Sequence, residues 1–302
     1  MSAIRSFDEL VVRLSQCERR TRVAVVNAVD VGTVDALCEA LRYGFAEAIL
    51  VGLQPDDALL KKFAPYREYV RQIVVEGEDE AATRAVELVR NGEADVLMKG
   101  LLHTDNLLRA VLNKEQGLLP RGNVLSHITV AEIPNFSRLL FFTDVAVIPT
   151  PTAEQRVWQV RYVDKLCRAF QIESPRIALV HFTEKVSPKF PLTLEYRALV
   201  EEAQKGQWGT TVIDGPLDVR TAVDSAVLQT KGIDSPLKGL ADALVMPNLE
   251  TGNAFYKSIT FFAHATVAGI LQGTTHPVVL TSRGDNSRSK FLSIATAAIS
   301  IQ

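Results

Sequence analysis

Short apolar runs alternate with amphipathic stretches along most of the chain. Val23-Ala24-Val25-Val26 is followed by Val34, Leu37 and Leu41 at helical spacing, then by Ala48-Ile49-Leu50-Val51 ending at Gly52. The rhythm continues through Ile73-Val74-Val75, an Ala-rich stretch from Asp79 to Arg90, and Asp95-Val96-Leu97-Met98, which reads as a strand buried on both faces. Such alternation predicts a parallel sheet with crossover helices.

A further run, Phe141 to Ile148, leads into Pro149-Thr150-Pro151-Thr152. The two prolines make an extended connector, and Thr152 with Gln155 spells a capping box, so a long helix is expected from there towards Phe170. The alternation resumes with Ile177-Ala178-Leu179-Val180, Thr211-Val212-Ile213, Ala243-Leu244-Val245-Met246 and Val278-Val279-Leu280. A last helix after Asp285-Asn286-Ser287 places Leu292, Ala295 and Ile299 on one face, to dock on a sheet.

Composition narrows the partners more than the fold. With 302 residues, 47% of them hydrophobic, the chain can bury a large core and suits two α/β units. Lys and Arg total 33 against 35 Asp and Glu, so no overall positive field draws it to nucleic acid, and anionic ligands need local sites. Cys17, Cys38 and Cys167 are far apart, which argues against zinc or a disulfide framework and fits a reducing cytoplasm. The charged start (Arg5, Asp8, Glu9) and the lack of a long apolar run point away from secretion and membrane insertion.

In open α/β sheets ligands bind beyond the carboxyl ends of strands, so the residues directly after the apolar runs are the candidates. Four places qualify: Lys99-Gly100 with Thr104, Thr143-Asp144, Asn248 through Lys257, and Thr281 through Lys290. In the last, Ser282-Arg283-Gly284-Asp285-Asn286-Ser287 sets a hydroxyl, a guanidinium and a glycine turn before a helix, which suits an anion. The same residues also read as a turn and helix cap with Arg283 solvated. The segment Pro247 to Ser258 superficially resembles a P-loop, but Tyr256 stands where a glycine must precede the lysine, so Lys257 is either a ligand contact or a solvated helix charge. Metal-ligand spacings, a dinucleotide fingerprint and a nucleophile elbow are all missing from the sequence. The five histidines are scattered; His127, beside Ser126, is the one that could face a cleft.

Taken in order, these segments resemble the phosphate acetyl/butyryltransferase family over nearly the whole chain. The pieces are Met98-Lys99-Gly100 with Thr104, Leu125-Ser126-His127, Thr143-Asp144, Asp214-Gly215-Pro216-Leu217-Asp218 and Lys231 to Pro236, with Pro247 to Asn253, Tyr256-Lys257-Ser258 and Leu280-Thr281-Ser282-Arg283 the most specific. The resemblance implies an isocitrate/isopropylmalate dehydrogenase-like fold: two α/β domains with the active cleft between them, in a homodimer or higher homo-oligomer. One domain would comprise residues 1–149 and 278–302, the other 150–277. It implies acyl transfer between coenzyme A and inorganic phosphate, both substrates, with no permanently bound cofactor and no metal. Ser282 and Arg283 match the family's catalytic pair, Arg283 holding phosphate and Ser282 donating to the reacting thioester or thiol. Asp144 and Asp285 join them as catalytic candidates, because the family's acidic residue seven positions after the serine is Ser289 here. Lys99, Gly100, Thr104, Ser126, His127, Thr143, Asn248, Gly252, Asn253 and Lys257 are the expected binding residues. The phosphate butyryltransferase branch fits the loop and the short length, while Pro151 to Gln155 resembles the acetyl branch. Two other readings stand beside this one: a non-catalytic paralogue that keeps the coenzyme A or phosphate site, for which Ser289 speaks, and a dehydrogenase of the same fold.

Overall fold

The structure is a computed structural model that describes residues 2–281 and 285–302. It divides into two compact units, one formed by residues 7–125 with 267–302, the other by 1–6 with 126–266. From sequence the crossings were expected near Pro149–Pro151 and before Val278; the structure puts them at 125/126 and 266/267. The prolines instead serve as an extended entry to a helix inside one unit, where Pro149 O accepts from Leu249 N.

The strands in chain order are β1 (Thr21–Val26), β2 (Ala46–Gly52), β3 (Val70–Val74), β4 (Val96–Lys99), β5 (Ser126–Glu132), β6 (Leu140–Thr143), β7 (Arg176–Val180), β8 (Val212–Leu217), β9 (Ala243–Val245), β10 (Thr266–Gln272) and β11 (Val278–Val279). The first unit carries the order β3-β2-β1-β4-β11-β10, parallel throughout except that β10 runs antiparallel to β11. The second carries β5-β6-β9-β7-β8, with β5 antiparallel to β6 and the remainder parallel.

The sheet is therefore mixed, which corrects the all-parallel expectation. The reason lies in β5 and β10, the two strands the apolar runs did not reveal. Strand β5 reads Ser-His-Ile-Thr-Val-Ala-Glu, yet its first six residues are buried, because the polar ones find partners inside. The run Phe141 to Ile148 is likewise shorter as a strand than it looks: β6 ends at Thr143, and Asp144 turns the chain.

Elsewhere the elements follow from local chemistry. Strands β1 and β4 are buried almost throughout, as continuous β-branched and aliphatic runs require. Asp30 caps the helix Val31–Arg42, and Thr152 with Gln155 forms the predicted capping box of the helix Ala153–Ala169. The last helix, Ser287–Ile299, was expected to dock by one face; residues Lys290 to Ile299 are instead all buried, packed among β11 and the helices Phe7–Ser15 and Val31–Arg42. Its small Ala295, Ala297 and Ala298 let neighbours approach on every side, so no polar stripe is needed.

Candidate active site

Six of the predicted residues, Ser126, His127, Thr143, Asp144, Gly252 and Asn253, meet at one turn in the second unit. Asp144 follows β6 directly and is 1% exposed. Its Oδ1 accepts from the backbone N–H groups of Ala146 (2.8 Å) and Val147 (2.9 Å). Its Oδ2 accepts from Ser126 Oγ (3.0 Å), His127 N (3.2 Å) and Ile148 N (3.2 Å). Ser126 lies 3.1 Å from the Thr143 hydroxyl, and since its own proton goes to Asp144, Thr143 donates in turn. The buried His127 ring sits 3.5 Å from Thr129 Oγ1.

The helix Leu249–Phe262 closes this turn from the other side. Asn248 caps it, its side chain accepting from Thr251 N (2.9 Å) and Thr251 Oγ1 (2.7 Å). Asn253 Nδ2 donates to Val145 O at 3.1 Å. Gly252 is a close-approach glycine: a Cβ there would stand 2.1 Å from Asp144 O, so any side chain would force helix and turn apart. Lys257, one helical turn beyond Asn253, is exposed on the same face.

The other predicted residues lie in the first unit. Lys99 ends β4 and is buried, and its Nζ reaches Gly100 O at 3.4 Å. Gly100 leaves no room for a side chain, since a Cβ would meet Val26 O and Asn27 O at 2.4 Å. Thr104 opens the helix Thr104–Val111 and is exposed. Asp285 is half-buried, and Asn286 caps the last helix by accepting from Ser289 N at 2.8 Å. The cap reading of that loop thus falls to Asn286. Ser282 and Arg283 lie outside the described residues.

Two features of this unit escaped the sequence reading. Asn27, directly after β1, is buried, with its Oδ1 accepting from Leu53 N at 2.9 Å. Lys290, with its side chain 8% exposed, reaches Asp30 Oδ1 at 3.0 Å and Thr33 Oγ1 at 3.1 Å. Burial pushes the Asp30 carboxyl up, but the bonds from Thr33 and Lys290 outweigh it and leave the pKa lowered. Asn27 could have been found by the strand-end rule; the Asp30–Lys290 pair could not, since 260 positions separate its members.

The two family-like segments around Asp214 and Lys231 hold one another. Ser235 Oγ donates to Asp214 at 2.5 Å, and Lys231 Nζ lies 2.6 Å from both Asp218 and Glu184. Asp218 is desolvated, yet the bonds from Lys231 and Thr221 carry its carboxyl well below the usual range. It borders a recess of about 500 Å³ at the carboxyl ends of β7, β8 and β9, together with His181, Phe182, Asn248 and Thr251. Phe182 is 70% exposed and meets Phe190 edge to face at 4.9 Å. Burial lowers the His181 pKa, against the bond its ring accepts from Thr183 N.

Polar side chains and an aromatic-edged recess gathered at strand ends define an α/β enzyme that handles small molecules. The structure resembles a branched-chain phosphotransacylase from Enterococcus faecalis, with a TM-score of 0.83, 28% identity, and coverage of 93% of this chain and 99% of that one. It shares its fold with a phosphotransacetylase from Streptococcus pyogenes, at a TM-score of 0.81, 22% identity, and 98% and 99% coverage. These are the structures that overturn the isocitrate/isopropylmalate dehydrogenase-like expectation: the fold matched is that of phosphotransacylases.

In sequence, the family model described as phosphate acetyl/butaryl transferase matches residues 67–298. The chain is 39% identical to phosphate butyryltransferase of Clostridium acetobutylicum over 299 residues, covering 98% of each chain. It is 35% identical to phosphate acetyltransferase of Thermotoga maritima over 280 residues, covering 92% of this chain and 94% of that one. The chain belongs to the phosphate acetyl/butyryltransferase family and is a phosphate acyltransferase. Among the described residues, no helix is long and apolar enough to cross a membrane.

Proposed function

We propose that the enzyme moves a short acyl group directly between coenzyme A and inorganic phosphate within one ternary complex, in the cytoplasm, with butyryl-type chains preferred. The observation that carries this reading is the 39% identity to a phosphate butyryltransferase along 98% of both chains. In the forward sense a phosphate oxygen attacks the thioester carbon, the C–S bond breaks, and the thiolate leaves and takes up a proton. In reverse, the thiolate attacks the acyl phosphate and phosphate departs.

Arg283 is assigned to the phosphate oxygens, where a guanidinium can bind two at once, and Ser282 to the reacting thioester or thiol. A free thiol is mostly protonated at neutral pH, so the reverse direction gains from a base. Both oxygens of Asp144 are committed to five donors, which suits it to positioning Ser126 and His127 rather than to taking protons. Asp285, three residues after Ser282, is therefore assigned the proton-accepting role. Lys99, Thr104 and Lys257 offer cations and a hydroxyl to the anionic substrates, with Gly100 allowing close approach. The recess beside Phe182 suits an apolar or aromatic part of the coenzyme.

A second copy of the chain is proposed to cover Phe261 and Phe262, which are 74% and 78% exposed at the end of their helix. The test of the reaction is phosphate-dependent release of free thiol from acetyl-, butyryl- and isobutyryl-coenzyme A. Release that requires phosphate, is fastest with the four-carbon chains, and falls about 100-fold or more in Arg283→Ala is expected. Thiol release indifferent to phosphate would overturn the reading, and faster turnover of acetyl-coenzyme A would move the enzyme to the acetyl branch.

A further inference from the structure

The second unit carries another cavity, at the opposite ends of its strands from the Asp144 network. It is an open depression of about 660 Å³ and lies where β6, β7 and β9 begin, with Arg138 just before β6, Arg176 as the first residue of β7, and Asp242 just before β9. Arg5, from the amino-terminal arm, completes its basic lining. Three guanidinium groups thus face one buried carboxylate, Asp242, and the exposed Glu173.

Two of these guanidinium groups, those of Arg138 and Arg176, form no ion pair among the described residues. Arg138 is half-buried and fixed: its Nε and Nη2 both donate to Ala241 O, at 3.3 and 3.0 Å, and its guanidinium lies 4.5 Å from the centre of the Phe136 ring. The Asp242 carboxylate accepts from Arg176 N, at 2.9 Å. Burial lowers the Arg138 pKa, and the charges of Arg5 and Arg176 lower it further, against the pull of Asp242. Crowding like charges around a preformed cavity costs free energy that an anion would recover, and guanidinium groups, of which Arg138 is held in place, match the paired oxygens of phosphate or carboxylate. The hydroxyls of Ser137 and Ser174, on the same wall, add neutral donors.

We propose that this cavity is a second ligand site, distinct from the acyl-transfer site, which takes a compact multivalent oxyanion bearing phosphate or carboxylate groups. It lies at the amino ends of the strands, so its occupant takes no part in the reaction and acts on the enzyme from a distance.

The test is isothermal titration of the full-length enzyme with inorganic pyrophosphate and, separately, with citrate, on the wild type, Arg176→Gln, Arg5→Gln and Arg283→Ala. Binding to the wild type that weakens about tenfold or more in Arg176→Gln or Arg5→Gln, and is unchanged in Arg283→Ala, is the expected result. Binding of pyrophosphate alone would assign a phosphoryl ligand and of citrate alone a carboxylate, each supporting the site. Thermal melting and thiol-release activity of Arg176→Gln and Arg5→Gln, both expected at wild-type levels, establish that the variants fold. No binding of either anion to the wild type would overturn the proposal. So would binding lost in Arg283→Ala and kept in the two cavity variants.

Discussion

Asp144 and Asp242 are both buried aspartates of the same unit, one directly after strand β6 and the other directly before β9, yet their surroundings are opposite. Five donors surround the first, three of them backbone N–H groups of the turn that follows it. The second accepts a backbone bond from Arg176 N and forms no ion pair with the Arg138 or Arg176 guanidinium among the described residues, and burial raises its pKa. A buried carboxylate with every lone pair used locks local geometry, whereas one left partly solvated by distant cations leaves a field with work still to do. The first arrangement suits a scaffold, and the second suits the ligand site proposed above.

The strongest way to break this contrast is Asp144→Ala, which would strand the donors of the turn and of Ser126 and His127. A loss of at least about 3 kcal/mol of stability is expected from urea unfolding, with transfer activity falling alongside it. A loss below about 1 kcal/mol would mean that water replaces the carboxylate and that the turn does not depend on it.

Gly252→Ala probes the same turn through its backbone. The added methyl would meet Asp144 O at 2.1 Å, so helix and turn must separate. A cost of about 1–3 kcal/mol is expected by thermal melting, with the Asn253 to Val145 bond weakened. An unchanged melt would show that the helix is free to slide.

A finer comparison sets Asp242 against Asp95 of the other unit, by the pH dependence of stability. Burial pushes Asp95 up, but bonds from Arg22 and the charges of Arg22 and Arg19 prevail and hold its carboxyl below the usual value. Its contribution is therefore complete above the unfolded carboxylate pKa of about 3.9 and is lost as pH falls through the depressed folded value. For Asp242 the folded pKa is raised, so the folded state binds a proton more tightly, and stability falls as pH rises from the unfolded value to the raised one. Denaturant titrations across acid pH should accordingly show Asp95→Asn losing about 1–3 kcal/mol at neutral pH, a deficit that shrinks in acid. Asp242→Asn should gain on the wild type as pH rises through its window. Parallel profiles for the two variants would erase the distinction between them.

Much of the scaffold could be read along the chain. The runs Val23 to Val26, Ala48 to Val51, Asp95 to Met98 and Ala243 to Met246 all lie in or directly beside parallel strands, and the capping box at Thr152 opens the helix it predicted. Strand β5 was missed because Ser126, His127 and Thr129 interrupt its apolar pattern, and only their partners across the sheet make burial affordable. The family motifs pointed to Ser126, His127, Thr143, Asp144, Gly252 and Asn253, which meet at one turn, and to Asn248, which caps the helix beside it. What each does there was not legible, since only the fold brings the five donors to Asp144.

Local sequence determined the strand and helix rhythm, the caps and the ordered motifs of a phosphate acyltransferase, because periodicity and capping act over a few neighbouring residues. Tertiary structure alone decided the antiparallel strands, the pairing of Lys290 with Asp30, and the meeting of Arg5, Arg138 and Arg176 around one cavity. Those features join residues far apart in the chain, and their energies depend on burial and on charge separation in space, which exist only once the chain has folded.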